Sequence, residues 1–268
     1  MRRSIERFKA IVWLHALRLW RYRFSFINFI ITDLLWLLLF LLGILLFAPS
    51  NLLRIMVKHA FWAVTVWYVI SHSLSLTGGW ITFFMSIGMI EEHMLAGISP
   101  FKVVLGRVIT VFACFIGAIL LTAGVLSAVF KVNVLLIYNH HLLIICLIPI
   151  IIQAISIGII TASISVRTQI PHSILDALTF MNAGLLLIPL NVLPVVAQYI
   201  YVLIPCMAPY VLIRRWCIYP QPTQTVPNAF LILVSICWTT VLAFLATYSA
   251  KKSIDYIKKN GLKYPGWV

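Results

Sequence analysis

Acidic residues are scarce: six Asp and Glu stand against twenty Lys and Arg in 268 residues, and charged residues of either sign make up only 10% of the chain. A water-soluble globule must cover itself with polar groups, and a chain that is 63% hydrophobic with a mean hydropathy of +1.06 has too few to do so. The scarcity excludes a soluble enzyme or binding domain, and lipid is the solvent for most of the chain. No G-x-x-x-x-G-K-[ST] loop occurs, so the chain cannot cradle nucleotide phosphates in the usual way. H-E-x-x-H, G-x-S-x-G and C-x-x-C are also absent, which leaves a membrane-embedded transferase no catalytic unit better than Glu91-Glu92-His93. No internal repeat appears, as many secondary transporters would show.

What charge there is lies at the ends. Twelve of the twenty basic residues fall in the first 23 and last 18 positions. In a soluble protein a formal charge of +14 would suggest nucleic acid, but these residues flank apolar runs, where anionic cytoplasmic lipid attracts them. No nucleic-acid partner is expected. The first apolar run continues through bulky residues to Phe47 without the small-residue cleavage site of a signal peptide, so it is expected to stay attached.

Crossing about 30 Å of hydrocarbon takes roughly 20 helical residues. Runs of that length fall at about 26–47, 55–84, 101–129, 141–164, 173–195 and 228–249. Residues 4–20 precede them as a helix with Arg3, Arg7 and Arg18 on one side and Ile5, Phe8, Val12 and Leu19 on the other, the pattern of a helix lying along a membrane surface. The stretch 173–213 is long enough for two spans, and the basic residues choose between the counts. Six spans leave 15 basic residues inside and five outside, whereas seven leave 12 and eight. Six spans therefore put both termini in the cytoplasm, and Pro189, Pro194, Pro205 and Pro209 are expected to break the chain into short re-entrant helices on the outer side. The whole chain, 1–268, reads as one all-α membrane domain in the plasma membrane.

Few residues inside the spans carry chemistry. Asp33, near the start of the first span, and Asp176, near the start of the fifth, need a cation or a hydrogen-bond donor, for which Arg21, Arg23 and Arg167 are candidates. They form either a polar gate at the inner mouth or structural pairs. His72, among Ser71, Ser73 and Ser75, makes the second span polar near mid-depth, and Gln153, Asn182 and Asn191 add amides elsewhere. Such groups line a pathway or hydrogen-bond between helices. Gly78-Gly79 marks a bend or close approach in span two, and Trp62, Trp67 and Tyr68 read as belt or packing residues. Cys206 and Cys217 both fall on the outer side, where they either pair or pack as small apolar residues. His140-His141 lacks further ligands, so no metal site is expected.

The sharpest internal break is Glu91-Glu92-His93-Met94-Leu95-Ala96-Gly97-Ile98-Ser99-Pro100, on the cytoplasmic side of the six-span arrangement. It holds the only adjacent carboxylates in the chain and reads as a short helix stopped near Gly97 and restarted after Ser99-Pro100. The basic leading helix, six spans, this acidic break with Gly106-Arg107 after it, Leu203-Ile204-Pro205 through Tyr210 to Arg214, and the basic tail together resemble the permease subunit of type-two ATP-binding-cassette exporters. The resemblance covers essentially the whole chain. It implies a second permease copy or paralogue, two separate ATPase subunits that hold ATP and magnesium, no cofactor on this chain, and ATPase contact through Glu91, Glu92, His93, Met94, Leu95 and Ser99. The expected cargo is an amphiphile: lipid, lipid-linked glycan, drug or peptide.

Overall fold

A computed structural model describes residues 2–49, 52–168, 173–218 and 225–261. Among them there is helix and loop but no strand. In hydrocarbon that follows from hydrogen bonding, because a helix satisfies its own backbone and an open strand edge does not.

The chain begins with α1 (Arg2–Arg21), then a break at Tyr22, then α2 (Arg23–Leu45). Helix α3 (Leu53–Leu74) continues through a π-helical turn, Ser75–Gly79, into α4 (Trp80–Ser86). A short helix, α5 (Met89–Leu95), precedes α6 (Pro100–Phe130) and α7 (His140–Thr168). Then come α8 (Ser173–Leu187), a 3-10 turn, α9 (Val195–Leu203), α10 (Met207–Ile213) with a second π-helical turn at Arg214–Ile218, and α11 (Asn228–Asn260).

Among the described residues, five segments are long and apolar enough to cross a membrane, Arg23–Leu45, Leu53–Met85, Pro100–Phe130, His140–Val166 and Asn228–Asn260, and the bent pair Val195–Leu203 and Met207–Ile218 would make a sixth if it is one span. The fold is that of a multi-pass all-α membrane protein. Helix α7 packs against α11, α3 and α10, while α6 packs against α1 and α2. Two apolar clusters result. One joins α2, α3, α6, α7 and α10 around Phe61, Phe115, Ile150 and Tyr210, and the other gathers Phe84, Ile90, Phe101 and Val104 at the end of the bundle that carries α1.

The expected fifth span, 173–195, is not one helix. Helix α8 has 15 residues, about 22 Å at 1.5 Å per residue, short of a roughly 30 Å core. Pro189 and Pro194 end what the apolar run would have continued, since a residue before proline is pushed out of helical geometry. The chain then bends by 111° between Val195–Leu203 and Met207–Ile218. Three side chains from that bent pair take up carbonyls at the end of α8: the Tyr201 hydroxyl donates to Leu185 O (3.0 Å), the Tyr210 hydroxyl to Leu186 O (2.9 Å) and Arg214 Nη1 to Ile188 O (3.4 Å). These are groups a helix terminus leaves without intrahelical partners. Cys206 and Cys217 are both buried free thiols, so they do not pair.

The Gly78-Gly79 break of the sequence is the π-helical turn itself. Gly158 of α7 lies against it so closely that a Cβ there would stand 1.9 Å from Thr77 Oγ1 and 3.0 Å from Leu74 O. Gly78 faces the same seam, where a Cβ would meet Leu175 Cδ1 at 2.8 Å.

Candidate functional site

Position 33 lies ten residues into α2, about 15 Å along its axis, so Asp33 is at the middle of that helix rather than near its start. The sequence placed it shallower because it began the span at 26. Arg21 and Arg23 are therefore out of reach, and both guanidinium groups lie over local rings instead: Arg21 over Tyr22 at 6.0 Å, and Arg23 over Trp20 and Phe24 at 5.9 and 5.4 Å. The Arg167 side chain is outside the described residues. Asp33 is partnered by the next helix. The Tyr68 hydroxyl donates a short hydrogen bond to Asp33 Oδ2, and His72 Nε2 stands 3.7 Å from the same oxygen.

One turn of α3 builds this cluster. Residues four apart share a helix face, so the Tyr68 and His72 rings lie with centroids 4.1 Å apart, tilted by 47°, and His72 Nδ1 lies 3.2 Å from the Tyr68 carbonyl. A carbonyl only accepts, so Nδ1 carries a proton and donates. If the ring is neutral, Nε2 then turns a lone pair toward a carboxylate oxygen that already accepts from Tyr68. A proton on Nε2 or on Asp33 would turn that repulsion into attraction. Phe115 of α6 closes one side, edge-on to His72 at 4.4 Å and to Tyr68 at 5.3 Å. Asp33 is 9% exposed, and a carboxylate so buried among apolar helices needs the partner that Tyr68 supplies.

Asp33 and His72, separate candidates in the sequence, thus meet, and Tyr68 joins them. Its four-residue spacing from His72 was the available signal, hidden because a tyrosine in an apolar run reads as belt or packing.

The other candidates stand elsewhere. Gln153 is 0% exposed: its Nε2 donates to Ser235 O (3.2 Å) and Thr239 Oγ1 (3.0 Å), while its Oε1 accepts the Cys206 N–H (2.6 Å). It clasps α7, α11 and the bend before α10, where Cys206 takes a left-handed φ of 69°. Asn182 donates to Leu178 O of its own helix at 2.8 Å. Asp176 is exposed in the first turn of α8. The side chain of Asn191 lies outside the described residues.

The acidic break forms a compact knob at the end of the bundle that carries α1. Gly88 (φ 75°) turns the chain into α5 and Gly97 (φ 68°) turns it out, both in the left-handed region that favours glycine. Ile98 N–H donates to His93 O and Gly97 N–H to Met94 O, the paired bonds of a Schellman stop. Ser99 and Pro100 then restart the chain as α6. Ile90 is buried in the apolar cluster and the His93 ring packs 5.3 Å from Phe84, which anchors the knob. Glu91, Glu92 and Leu95 face outward, Leu95 at 89% exposure, while Met94 and Ser99 are half-buried.

No protein-family model matches the chain, and no curated protein matches it.

Proposed function

We propose that the chain is the membrane-spanning permease subunit of an ATP-driven exporter, which moves an amphiphilic cargo by alternating access while a separate ATPase subunit hydrolyses ATP. The observation that carries this reading is the knob. An ordinary link between two spans needs neither two left-handed glycines nor a buried anchor, and it has no reason to present Glu91, Glu92 and an exposed leucine together on a rigid turn. A carboxylate pair beside an apolar side chain suits a basic, grooved surface on a cytoplasmic partner. Both termini then lie in the cytoplasm, α1 rides on the inner membrane surface, and the bent α9–α10 pair is a re-entrant hairpin from the outer side. Leu203 O accepts from Trp238 Nε1 at 2.7 Å, ten residues into α11, which fits a hairpin apex about 15 Å below that helix's start. The exposed apolar face of α2, including Leu35, Trp36 and Leu39, is free to meet lipid or a second permease copy.

The test is purification of the complex from its native membrane. An ATPase subunit should copurify, and E91Q/E92Q should uncouple its ATP hydrolysis from transport. If no ATPase copurifies, or if deleting residues 91–99 leaves a copurifying ATPase bound and unaltered, the knob is not a coupling element.

A second reading rests on Asp33, Tyr68 and His72. A carboxylate facing an imidazole in the interior of the bundle offers the proton site that a proton-coupled secondary transporter requires. Proteoliposomes holding this chain alone under an imposed pH gradient separate the two: cargo movement there favours proton coupling, and movement only with ATPase and ATP favours the exporter.

A further inference from the structure

Helix α1 carries six Lys or Arg and α6 two, against the single carboxylate of Glu6 on either helix. The two helices pack together at the end of the bundle that bears the knob, and position 106 sets how closely: a Cβ on Gly106 would lie 2.7 Å from Ile11 Cγ2. Between them opens a cleft of ≈ 220 Å³ with Arg7 and Lys102 at its rim, Ser99 in its wall, and Phe8, Ile11 and Ile98 as its apolar lining. The Ser99 hydroxyl makes no capping bond to its own helix. One turn further along α1, His15 is 8% exposed and its Nε2 is buried with no hydrogen-bond partner among the described residues. Across from it, the Arg107 guanidinium lies 3.3 Å from the centroid of the Trp80 ring, an attractive cation–π contact that contributes no anion. Burial, with the charges of Arg107 and Arg18, holds the His15 imidazole below its ordinary value, although a backbone bond to Val103 works the other way.

We propose that this cleft binds a phosphate ester, supplied in the membrane by the headgroup of an anionic phospholipid, and that the bound phosphate fastens α1 to α6. Arginine grips phosphate oxygens with a planar fork and lysine adds a point charge, so Arg7 and Lys102 suit the two sides of one phosphate. The volume is about seven times a water's share of the liquid, enough for a glycerophosphate but not for acyl chains. The acyl chains stay outside the cleft, in the bilayer. A cytoplasmic leaflet supplies the anion, since it attracts juxtamembrane cations within a Debye length.

The inference does not depend on an ATPase, and its test does not read one. The full chain, purified in a zwitterionic detergent, is titrated with phosphatidylglycerol, with phosphatidylcholine, and separately with inorganic phosphate. Native mass spectrometry counts retained lipid, and NMR follows the imidazole of His15. One phosphatidylglycerol should survive dilution that strips the rest, and R7Q/K102Q should weaken its retention about 30-fold. R54Q/K58Q, which alters cations at the start of α3, should retain it. Bound phosphate should also raise the titration midpoint of His15, because a nearby anion favours imidazolium. A midpoint raised by inorganic phosphate with no lipid retained supports the site and assigns it a soluble ligand. Equal retention by R7Q/K102Q and the wild type, or equal retention of the two lipids, overturns the proposal. So does a His15 midpoint indifferent to all three ligands, and that readout needs only the wild-type chain should R7Q/K102Q fail to fold.

Discussion

Replacing Tyr68 by phenylalanine removes one oxygen and leaves the ring in place against Phe115 and His72, so it isolates the hydrogen bond to Asp33. Two magnitudes compete. Hydrogen bonds between membrane helices average about 0.6 kcal/mol in double-mutant cycles and reach about 1.7 kcal/mol. Bonds to a charged group are worth about 1.5–3 kcal/mol, and a buried acceptor stripped of its donor costs about 1–3 kcal/mol. Asp33 is buried and bonded to the Tyr68 hydroxyl, so the upper range applies and Tyr68→Phe should cost about 2 kcal/mol. Replacing both polar groups by apolar ones of similar shape leaves only His72 Nε2, which already stands 3.7 Å from Asp33 Oδ2, without its neighbour, so Tyr68→Phe with Asp33→Leu should recover part of that loss. Asp33→Asn keeps an acceptor for Tyr68 and offers its NH₂ to His72 Nε2, so it should fold normally while the carboxylate that can take up a proton is lost. The measurement is reversible unfolding of the four proteins of the cycle in mixed micelles, with transport followed in parallel. A Tyr68→Phe variant within about 0.3 kcal/mol of wild type and a vanishing coupling term would show that the cluster contributes no such interaction. Unchanged transport by Asp33→Asn would remove it from the mechanism.

Three further outcomes follow from the packing. Gly158→Ala places a methyl 1.9 Å from Thr77 Oγ1. It should cost about 2–3 kcal/mol in unfolding free energy, and Thr77→Ala should restore only part, because Leu74 O stays 3.0 Å from the added carbon. Gln153→Leu removes the partner of the Cys206 N–H and both donors to α11; a loss of about 2–4 kcal/mol is expected, together with faster hydrogen exchange at the α9–α10 bend, and no change in either would mean the clasp is dispensable. His15 is held below its ordinary value in the folded chain, so both states are neutral above about pH 6.5 and α1 is fully docked there. Docking weakens as pH falls from that point toward the depressed folded value, since the undocked imidazole takes up its proton first. Hydrogen exchange across residues 5–21 between pH 8 and pH 5 should show this loosening without lipid, and His15→Gln should flatten it.

The sequence alone determined that the chain lives in a bilayer, because 63% hydrophobic residues and so few charges leave no other solvent. It also determined most of the long helices, since an apolar run of 20 or more residues has one low-energy backbone in hydrocarbon, and the stop at Gly97 and restart at Pro100, since those residues act on the backbone locally. It did not determine where α8 ends, because 173–195 is apolar throughout and two prolines compete with that continuity; the end is fixed by Tyr201, Tyr210 and Arg214 folding back to take its carbonyls. Nor could it assign a partner to Asp33. Arginines ten and twelve positions away looked near along the chain, whereas Tyr68 and His72 sit 35 and 39 positions on and arrive only because α3 packs against α2. Local chemistry is written residue by residue, but a buried polar group is satisfied across helices. Which two helices meet is decided by complementary packing, such as Ile11 against Gly106 or Thr77 against Gly158.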